Sequence, residues 1–451
     1  MVQPGQAGAA GSIDESGRKR QVRLAAVASV IGTSIEWYDF FLYGTAAAIV
    51  FPAVFFPKSS SYAGTLESFA TYAVGFAARP VGAAIFGHWG DRLGRKATLI
   101  ITLLMMGLAS ALVGVLPGTA TIGIAAPILL VILRVLQGLA VGGEWSGSVL
   151  LSMEWGKQRR RGLMASWPQI GVPIGLLLGT GAMTAIALSA PDAFKAWAWR
   201  IPFLASLILV GIGLWVRLKV METPLFARLV EKRTVAKLPV AEVIRRYPKQ
   251  IVLSALLRMS EQAPFYIYTA FALAYIKEHL HQTEGVGLAA VTVAAALELF
   301  LIPASGHISD RVGRRRIYAA GAILTAVVAF PAFLLLNTAA AGLIVLGVVL
   351  LAIPHSMQYG PQSSYIAEQF PTELAYAGSG LGYQAASLIA GGPAPLLATW
   401  MLASFGWQAI SVYIIACVVI TLIAVALLPD RSMADLGVAP VAAPAGQAAR
   451  G

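Results

Sequence analysis

The chain has 451 residues, of which 58% are hydrophobic and only 12% charged. A soluble globular protein carries about 25% charged residues, so the composition excludes an ordinary cytosolic, fibrous or disordered protein and points to a polytopic α-helical membrane protein. The net charge of +12 would suggest nucleic-acid binding in a soluble protein. Here its placement along the chain gives it a different meaning. The single cysteine, Cys417, excludes an intramolecular disulfide and any cysteine-built zinc or iron–sulfur site.

Residues 1–23 form a polar tail without the apolar core of a secretory signal. A bilayer core takes about 20 apolar residues per helix. Twelve such stretches follow, centred near residues 37, 77, 107, 138, 176, 208, 264, 296, 327, 353, 389 and 417. The longest polar segment, 217–250, holds nine Lys/Arg and divides the chain into six-helix halves at 24–216 and 251–428, with a second tail at 429–451. Within it, the text around Glu222–Glu231 predicts a short amphipathic helix on the membrane face. Of the 33 Lys/Arg, 26 fall on the side of the termini, three in the opposite loops and four inside predicted helices. The positive-inside rule therefore predicts that both termini are cytoplasmic. The basic charge is a topology signal, and no nucleic-acid partner is implied.

Ionisable residues inside spans are costly and mark function by default. In span 1, Glu36 and Asp39 are three apart and share one face with Thr33 and Tyr43. Two carboxylates in a low-dielectric site oppose each other's ionisation, which suits a proton carrier; the alternative is a structural carboxylate paired with an arginine. Arg79 in span 2, followed by Pro80, and Arg200 at the start of span 6 read as structural anchors. Arg134 in span 4 is followed by Gln137 and Gly138, and a pair with Asp39 or Glu36 that protonation or substrate breaks is expected. A permanent helix–helix salt bridge is the alternative. Glu144 lies about 15 Å further along the same helix, too far to meet Arg134, and is open between a gate and a structural residue. In span 7, Arg258 and Glu261 are either a local salt bridge or a cavity arginine for a substrate carboxylate with its neighbour. Glu298 in span 8 has no partner readable from the sequence, and His355 in span 10 is a candidate proton-linked switch. Tyr43, Gln137, Gln169, Tyr266, Gln358 and Gln384 are candidate substrate contacts, because an amide or hydroxyl in lipid must find a partner. No metal site and no cofactor are implied, and no nucleophile or metal cluster suggests an enzyme.

The chain also repeats itself. Residues 87–96 read G-H-W-G-D-R-L-G-R-K and residues 306–315 read G-H-I-S-D-R-V-G-R-R, identical at six of ten positions and 219 residues apart. Each copy follows the second span of its half, the pattern of a parallel-repeat transporter. Asp91, Arg92 and Arg95 match Asp310, Arg311 and Arg314.

This decamer resembles the loop motif of the major facilitator superfamily. The accompanying text narrows it: E-W-Y-D-F at 36–40, G-F-A-A-R-P-V-G at 75–82, R-V-L-Q-G-L-A-V-G-G-E at 134–144, W-P-Q-I-G-V-P-I-G at 167–175 and W-R-I-P-F at 199–203. Together they resemble the metabolite:proton symporter family, over nearly the whole chain except the tails. Shikimate-type and aromatic-acid-type members are most similar, and proline/betaine members share much of the signature. The resemblance implies twelve transmembrane helices in two halves and a proton-coupled symporter that imports a small organic acid by alternating access, functional as a monomer in the cytoplasmic membrane. A compatible-solute symporter or a proton-coupled exporter is the alternative. It implies proton coupling or anion binding at Arg134, with Glu36 and Asp39 as partners. It also implies gating by Asp91, Arg92, Arg95, Asp310, Arg311 and Arg314, with Glu144 as a further gate candidate. One departure stands out: family members often carry F-P-T-x-x-R after span 10, whereas residues 370–375 read F-P-T-E-L-A, so Ala375 replaces the arginine and any gate salt bridge through it is lost.

Overall fold

A computed structural model describes residues 14–57, 61–231 and 236–432. The beginning of the N-terminal tail and residues 433–451 of the C-terminal tail lie outside the described residues. Twelve long helical segments form the molecule, and no β-strand occurs among the described residues. The first six are α1 (Glu15–Ile49), α2 (Ser61–Leu93), α3 (Arg95–Val115), α4 (Ala125–Trp155), α5 (Arg161–Gln169 continued by Gly171–Ser189) and α6 (Arg200–Lys219). The second six begin with α7, built from Pro248–Leu257 and Met259–Tyr266 and extended by π-helical turns at Ile267–Phe271 and Tyr275–His279. They continue with α8 (Glu284–Val312), α9 (Arg314–Leu336), α10 (Ala341–Ala367), α11 (Ala375–Ala386 and Ala394–Phe405, joined by a π-turn at Ser387–Gly391) and α12 (Trp407–Leu427). Nine described helices are long and apolar enough to cross a membrane by length and composition. The remaining three, α1, α2 and α7, are those in which the chain places Glu36 and Asp39, Arg79, and Arg258 and Glu261.

Local chemistry sets the helix ends. Asp14 caps α1, its Oδ1 accepting the Gly17 N–H at 2.9 Å. The one-residue links α2–α3 and α8–α9 turn on Gly94 (φ +106°) and Gly313 (φ +101°), a backbone region that only glycine enters without strain. These are the glycines of the repeated decamer. An acid then caps each following helix. Glu222 accepts the Arg95 and Lys96 N–H groups, both at 3.2 Å, and Asp430 accepts the Arg315 N–H at 3.1 Å. Burial pushes the Glu222 carboxyl above its ordinary range, against the opposing pull of the Thr223 N–H and Arg95.

Small residues let the helices cross closely, as expected where lipid supplies little hydrophobic drive between helices. A Cβ at Gly142 of α4 would sit 2.1 Å from the Arg79 carbonyl oxygen of α2, and one at Gly82 would sit 2.1 Å from that of Leu139. In the central segment, helices Pro224–Glu231 and Pro239–Arg246 form. The first is the short helix expected there, and its Phe226 is buried beneath the Arg95 guanidinium, 5.1 Å away.

Two reciprocal clasps join the first six helices to the second six on the face that carries the described chain ends. The Asp91 carboxylate accepts the N–H groups of Tyr376 (3.1 Å) and Ala377 (2.9 Å) at the start of α11. The Asp310 carboxylate accepts those of Gly162 (2.8 Å) and Leu163 (2.9 Å) at the start of α5. A carboxylate at a helix N-terminus meets orphan donors and the positive end of the dipole. Arg95 supports one clasp from Asp91 (3.4 Å) and Glu154 (3.3 Å) and donates to the Thr372 carbonyl at 2.9 Å. Arg314 supports the other from Asp310 (2.8 Å) and Glu368 (3.3 Å). Arg92 and Arg311, expected in the same gates, are exposed and take no part in the clasps; Arg92 instead meets His88 at 3.1 Å.

Two tests follow from the packing. Gly142→Val should lower the apparent melting temperature by about 5 °C or more through overpacking. Gly181→Val, where a Cβ meets nothing within 4 Å, should leave it nearly unchanged. Maleimide labelling of the buried Cys417 on heating reads both. For the clasps, a Ser166→Cys probe at the buried α5–α8 contact, in a Cys417→Ser background, should alkylate about tenfold faster once Asp91→Asn or Asp310→Asn removes a charged acceptor. An unchanged rate would show that the clasps do not hold this face shut.

Candidate functional site

A small cavity opens among α1, α2, α3 and α4, lined by Glu36, Asp39, Arg79, Arg134 and Gln137 together with Phe40, Gly75, Met106, Gly138 and Val141. Its ionisable groups come from α1 (Glu36, Asp39), α2 (Arg79) and α4 (Arg134), and all four are buried. Arg134 lies over the rings of Tyr43 (4.3 Å), Tyr72 (4.8 Å) and Phe40 (5.7 Å). Its Nη1 donates to Gln137 Oε1 at 3.3 Å, and Gln137 Nε2 donates to Ser110 Oγ at 2.6 Å. Arg79 lies over Phe76 (4.6 Å), Phe40 (4.9 Å) and Trp37 (5.9 Å). Tyr43 completes this wall and shares a 2.8 Å hydrogen bond with Thr71.

The expected ion pair between Arg134 and Asp39 or Glu36 is not formed. Among the described residues neither arginine of the cavity has a carboxylate within salt-bridge distance. Both Asp39 oxygens, Glu36 Oε2 and Arg134 Nε are buried without a hydrogen-bond partner. The cause is steric: Gly75 leaves the space that the Arg134 side chain fills, since a Cβ there would sit 2.5 Å from Nε. The arginine therefore lies against Gly75 and Tyr72 of α2 and over the Tyr43 and Phe40 rings of α1, without pairing with the α1 carboxylates. A desolvated cation–π contact is worth about 2 kcal/mol, less than a buried charge without a counter-ion costs. The cavity thus presents unspent electrostatic capacity of both signs.

The sequence reads Arg79 as an anchor, and the structure places it in the cavity wall. A signal existed: no acid stands three or four residues from it on its own helix, so a local ion pair was impossible.

Other candidates serve different ends. Glu144 pairs with Arg217 and accepts from Thr102 (2.9 Å) and Ser148 (2.9 Å), all within the first six helices, in a space kept open by Gly32. It does not bridge the two sets of helices. Gln169 does: its Oε1 accepts Trp145 Nε1 at 2.9 Å and its Nε2 donates to the Tyr359 carbonyl at 3.3 Å. Gln384 Nε2 reaches the Val141 carbonyl at 3.5 Å. Trp145 stacks on Tyr383 at 3.6 Å, and Tyr383 carries the Arg258 guanidinium at 3.3 Å. Tyr266 packs against Phe76 at 5.7 Å, with its hydroxyl buried and unpartnered. Gln358 is tied to Ser260, Thr325 (2.9 Å) and Pro354 (3.2 Å) and is not directed at the cavity.

Arg258 and Glu261 do form the local pair, at 3.2 Å, and Arg258 also donates to Gln362 (3.1 Å) and the Tyr383 carbonyl (2.5 Å). Glu298 finds the partners the sequence did not reveal: the Tyr268 hydroxyl at 2.7 Å and His355 Nδ1 at 2.6 Å. His355 Nε2 lies 3.4 Å from Glu261.

Comparison with known proteins places the chain. Residues 24–250 match the family "Sugar (and other) transporter" and residues 255–447 match "Major Facilitator Superfamily". The shikimate transporter of Escherichia coli K12 is 41% identical over 92% of this chain and 96% of its own length. The proline/betaine transporter of the same organism is 34% identical over 85% of this chain and 78% of its own. The solved proton:xylose symporter XylE superposes with a TM-score of 0.75 over 92% of this chain and 97% of that one, at 16% identity, a likeness of fold. A transporter fold, a repeated gate motif and near-full-length similarity to metabolite transporters agree: this chain belongs to the major facilitator superfamily, among its metabolite transporters, and is a transporter and not an enzyme.

Proposed function

We propose that the protein is a proton-coupled symporter that carries a small organic acid across the cytoplasmic membrane by alternating access, working as a monomer with both termini cytoplasmic. The halves 24–216 and 251–428 would rock about a central site, with 217–250 as the cytoplasmic connection. The observation that carries this reading is the cavity in which Arg79 and Arg134 face Glu36 and Asp39 without forming ion pairs with them. Two cations and two carboxylates held apart are suited to take an anion and a proton respectively. Asp39 and Glu36 supply the proton site, Arg134 and Arg79 the anion site, and Gln137 orients Arg134. The shikimate transporter, 41% identical, supports the substrate class. The proline/betaine relative keeps a zwitterionic solute as the second reading.

Proteoliposomes loaded with a pH dye and given an inward proton gradient test this. The panel is shikimate, hydroxybenzoates, 2-oxoglutarate, citrate, proline and glycine betaine, with protein-free liposomes as the permeation control. An organic acid should produce internal acidification that Asp39→Asn abolishes. Arg79→Gln and Arg134→Gln should each raise the KM for that acid about tenfold or more, as loss of a charged hydrogen bond does. A response confined to proline or betaine would overturn the anion role of the arginines. Uptake of labelled acid without proton movement would make the protein a uniporter, and acid-driven alkalinisation an exporter.

A further inference from the structure

We propose that the Glu261–His355–Glu298 cluster is a second proton-carrying site, placed in the C-terminal six helices and separate from the span-1 carboxylates; this rests on the symport reading above. The buried charges, placed by the geometry, count the proton. His355 Nδ1 lies 2.6 Å from Glu298 Oε1, and Nε2 lies 3.4 Å from Glu261 Oε1. The first is a hydrogen bond and the second an ion-pair separation, and the Tyr268 hydroxyl also lies 3.1 Å from Nδ1. Arg258, Glu261 and Glu298 are all buried and together leave one negative charge, which a second proton on the His355–Glu298 pair cancels, one more than a neutral histidine beside an ionised glutamate holds.

The surroundings fix which proton is exchangeable. Glu261 is held as an anion by Arg258 Nε at 3.2 Å and by Gln362 Nε2 at 2.8 Å. Glu298 accepts the Tyr268 hydroxyl at 2.7 Å. Tyr318 of α9 bonds Gln362 at 3.0 Å, Tyr359 of α10 stacks on the imidazole at 5.0 Å, and Tyr383 of α11 lies under Arg258. Arg258, Glu261, His355 and Glu298 are the charged groups of the cluster. With the shared proton present, their formal charges cancel. Without it, the cluster holds a net negative charge in the membrane interior, which is costly unless water or a cation reaches it. The proton is therefore released when the cluster is opened, and rebound when it closes. Only N–H or O–H bonds form and break, with water on one side of the membrane as donor and water on the other as acceptor.

The helix that carries half of the cluster is built to move. α7 is interrupted at Arg258 (ψ −3°), contains Pro264, and passes into a π-turn at Ile267–Phe271. Such breaks occur where a helix segment changes its orientation at a functional site. Glu261 lies inside the segment they bound, whereas His355 and Glu298 lie on α10 and α8. Rotation of that segment would part Glu261 from His355 and uncount the proton.

Two readouts separate this proposal from the symport reading. In the full chain in lipid nanodiscs, labelled with ¹⁵N-histidine, the five histidines are few enough to resolve, and His355→Gln identifies one of them. The His355 ring should carry protons on both nitrogens at low pH and lose one within about pH 5 to 10. Glu298→Gln should alter that transition. A His355 spectrum that is invariant over this range overturns the proposal, whether or not any substrate is transported. Where the liposome panel identifies a transported acid, the reversal potential gives the proton count per substrate. His355→Gln and Glu298→Gln should each reduce that count by one while acid–acid exchange continues. A titrating His355 with an unchanged count would show a bound proton that is not carried, which also overturns it. If the wild type moves no protons, the symport reading fails while the spectrum still decides whether the cluster binds a proton.

Discussion

A charge inside a bilayer has to be neutralised nearby, since the penalty for leaving it alone is several kcal/mol per ion even after relaxation. This constraint organises the molecule. Glu144 lies against Arg217, Asp91 and Glu154 against Arg95, Asp310 and Glu368 against Arg314, and Glu261 against Arg258 and His355. In each cluster, hydrogen-bonding hydroxyls, amides or backbone groups occupy positions that the ions leave open, as a buried ion pair requires. One set of charges does not follow the rule. Glu36, Asp39, Arg79 and Arg134 share a cavity but make no ion pairs with one another, and three carboxylate oxygens there have no partner. Among the described residues the other buried acids and arginines each meet an opposite charge, and the unmatched group is the one whose partners are to arrive from outside.

The clasps apply the same constraint to conformation. Asp91 and Asp310 use helix N-termini of the opposite six helices as counter-charges, and the repeat makes the two clasps equivalent. The arrangement explains the departure at Ala375. An arginine there is dispensable for this contact, because Asp91 is satisfied by the Tyr376 and Ala377 N–H groups, which exist whatever the side chain at 375. The α5 terminus facing Asp310 likewise contributes backbone donors. Backbone donors hold the carboxylate only while the helix end stays in place, so a small tilt breaks both hydrogen bonds at once. A long arginine side chain would follow the motion and soften it.

Much of this was legible in the sequence because it is local. The twelve apolar stretches, the repeated decamer, the i,i+3 pairs and the charge bias are all readable along the chain without knowing which helices meet. Glu36 with Asp39, and Arg258 with Glu261, were found for that reason. What could not be read was pairing across the chain. Glu298 meets His355 57 residues away, Glu222 caps α3 from 127 residues away, and Asp91 meets α11 at a separation of 285. Nothing in a span's own text records which neighbour faces it. The expected Arg134–Asp39 pair failed for a related reason: Gly75, on a third helix, supplies the space that draws the arginine away. A glycine in a membrane helix marks a close approach, but its own text does not say which side chain it admits. Arg92 and Arg311 show the converse, since they share the motif's spacing but face outward.

Neutrality also gives a reason for coupling in the proposed cycle. The empty cavity holds two carboxylates and two guanidinium groups, and its formal charges cancel. A proton alone leaves it positive, and a monovalent organic anion alone leaves it negative. Proton and anion together restore neutrality. Passage between the two faces requires the site to close away from water, where a net charge is least tolerated. The two neutral states, empty and fully loaded, are then those that cross readily, and the half-loaded states are held back. At this cavity, strict coupling of one anion to one proton would follow from this balance without a dedicated latch, in addition to the proton carried by the Glu261–His355–Glu298 cluster. It requires the arginines to remain free of permanent partners, which is the condition that Gly75 and the aromatic wall maintain.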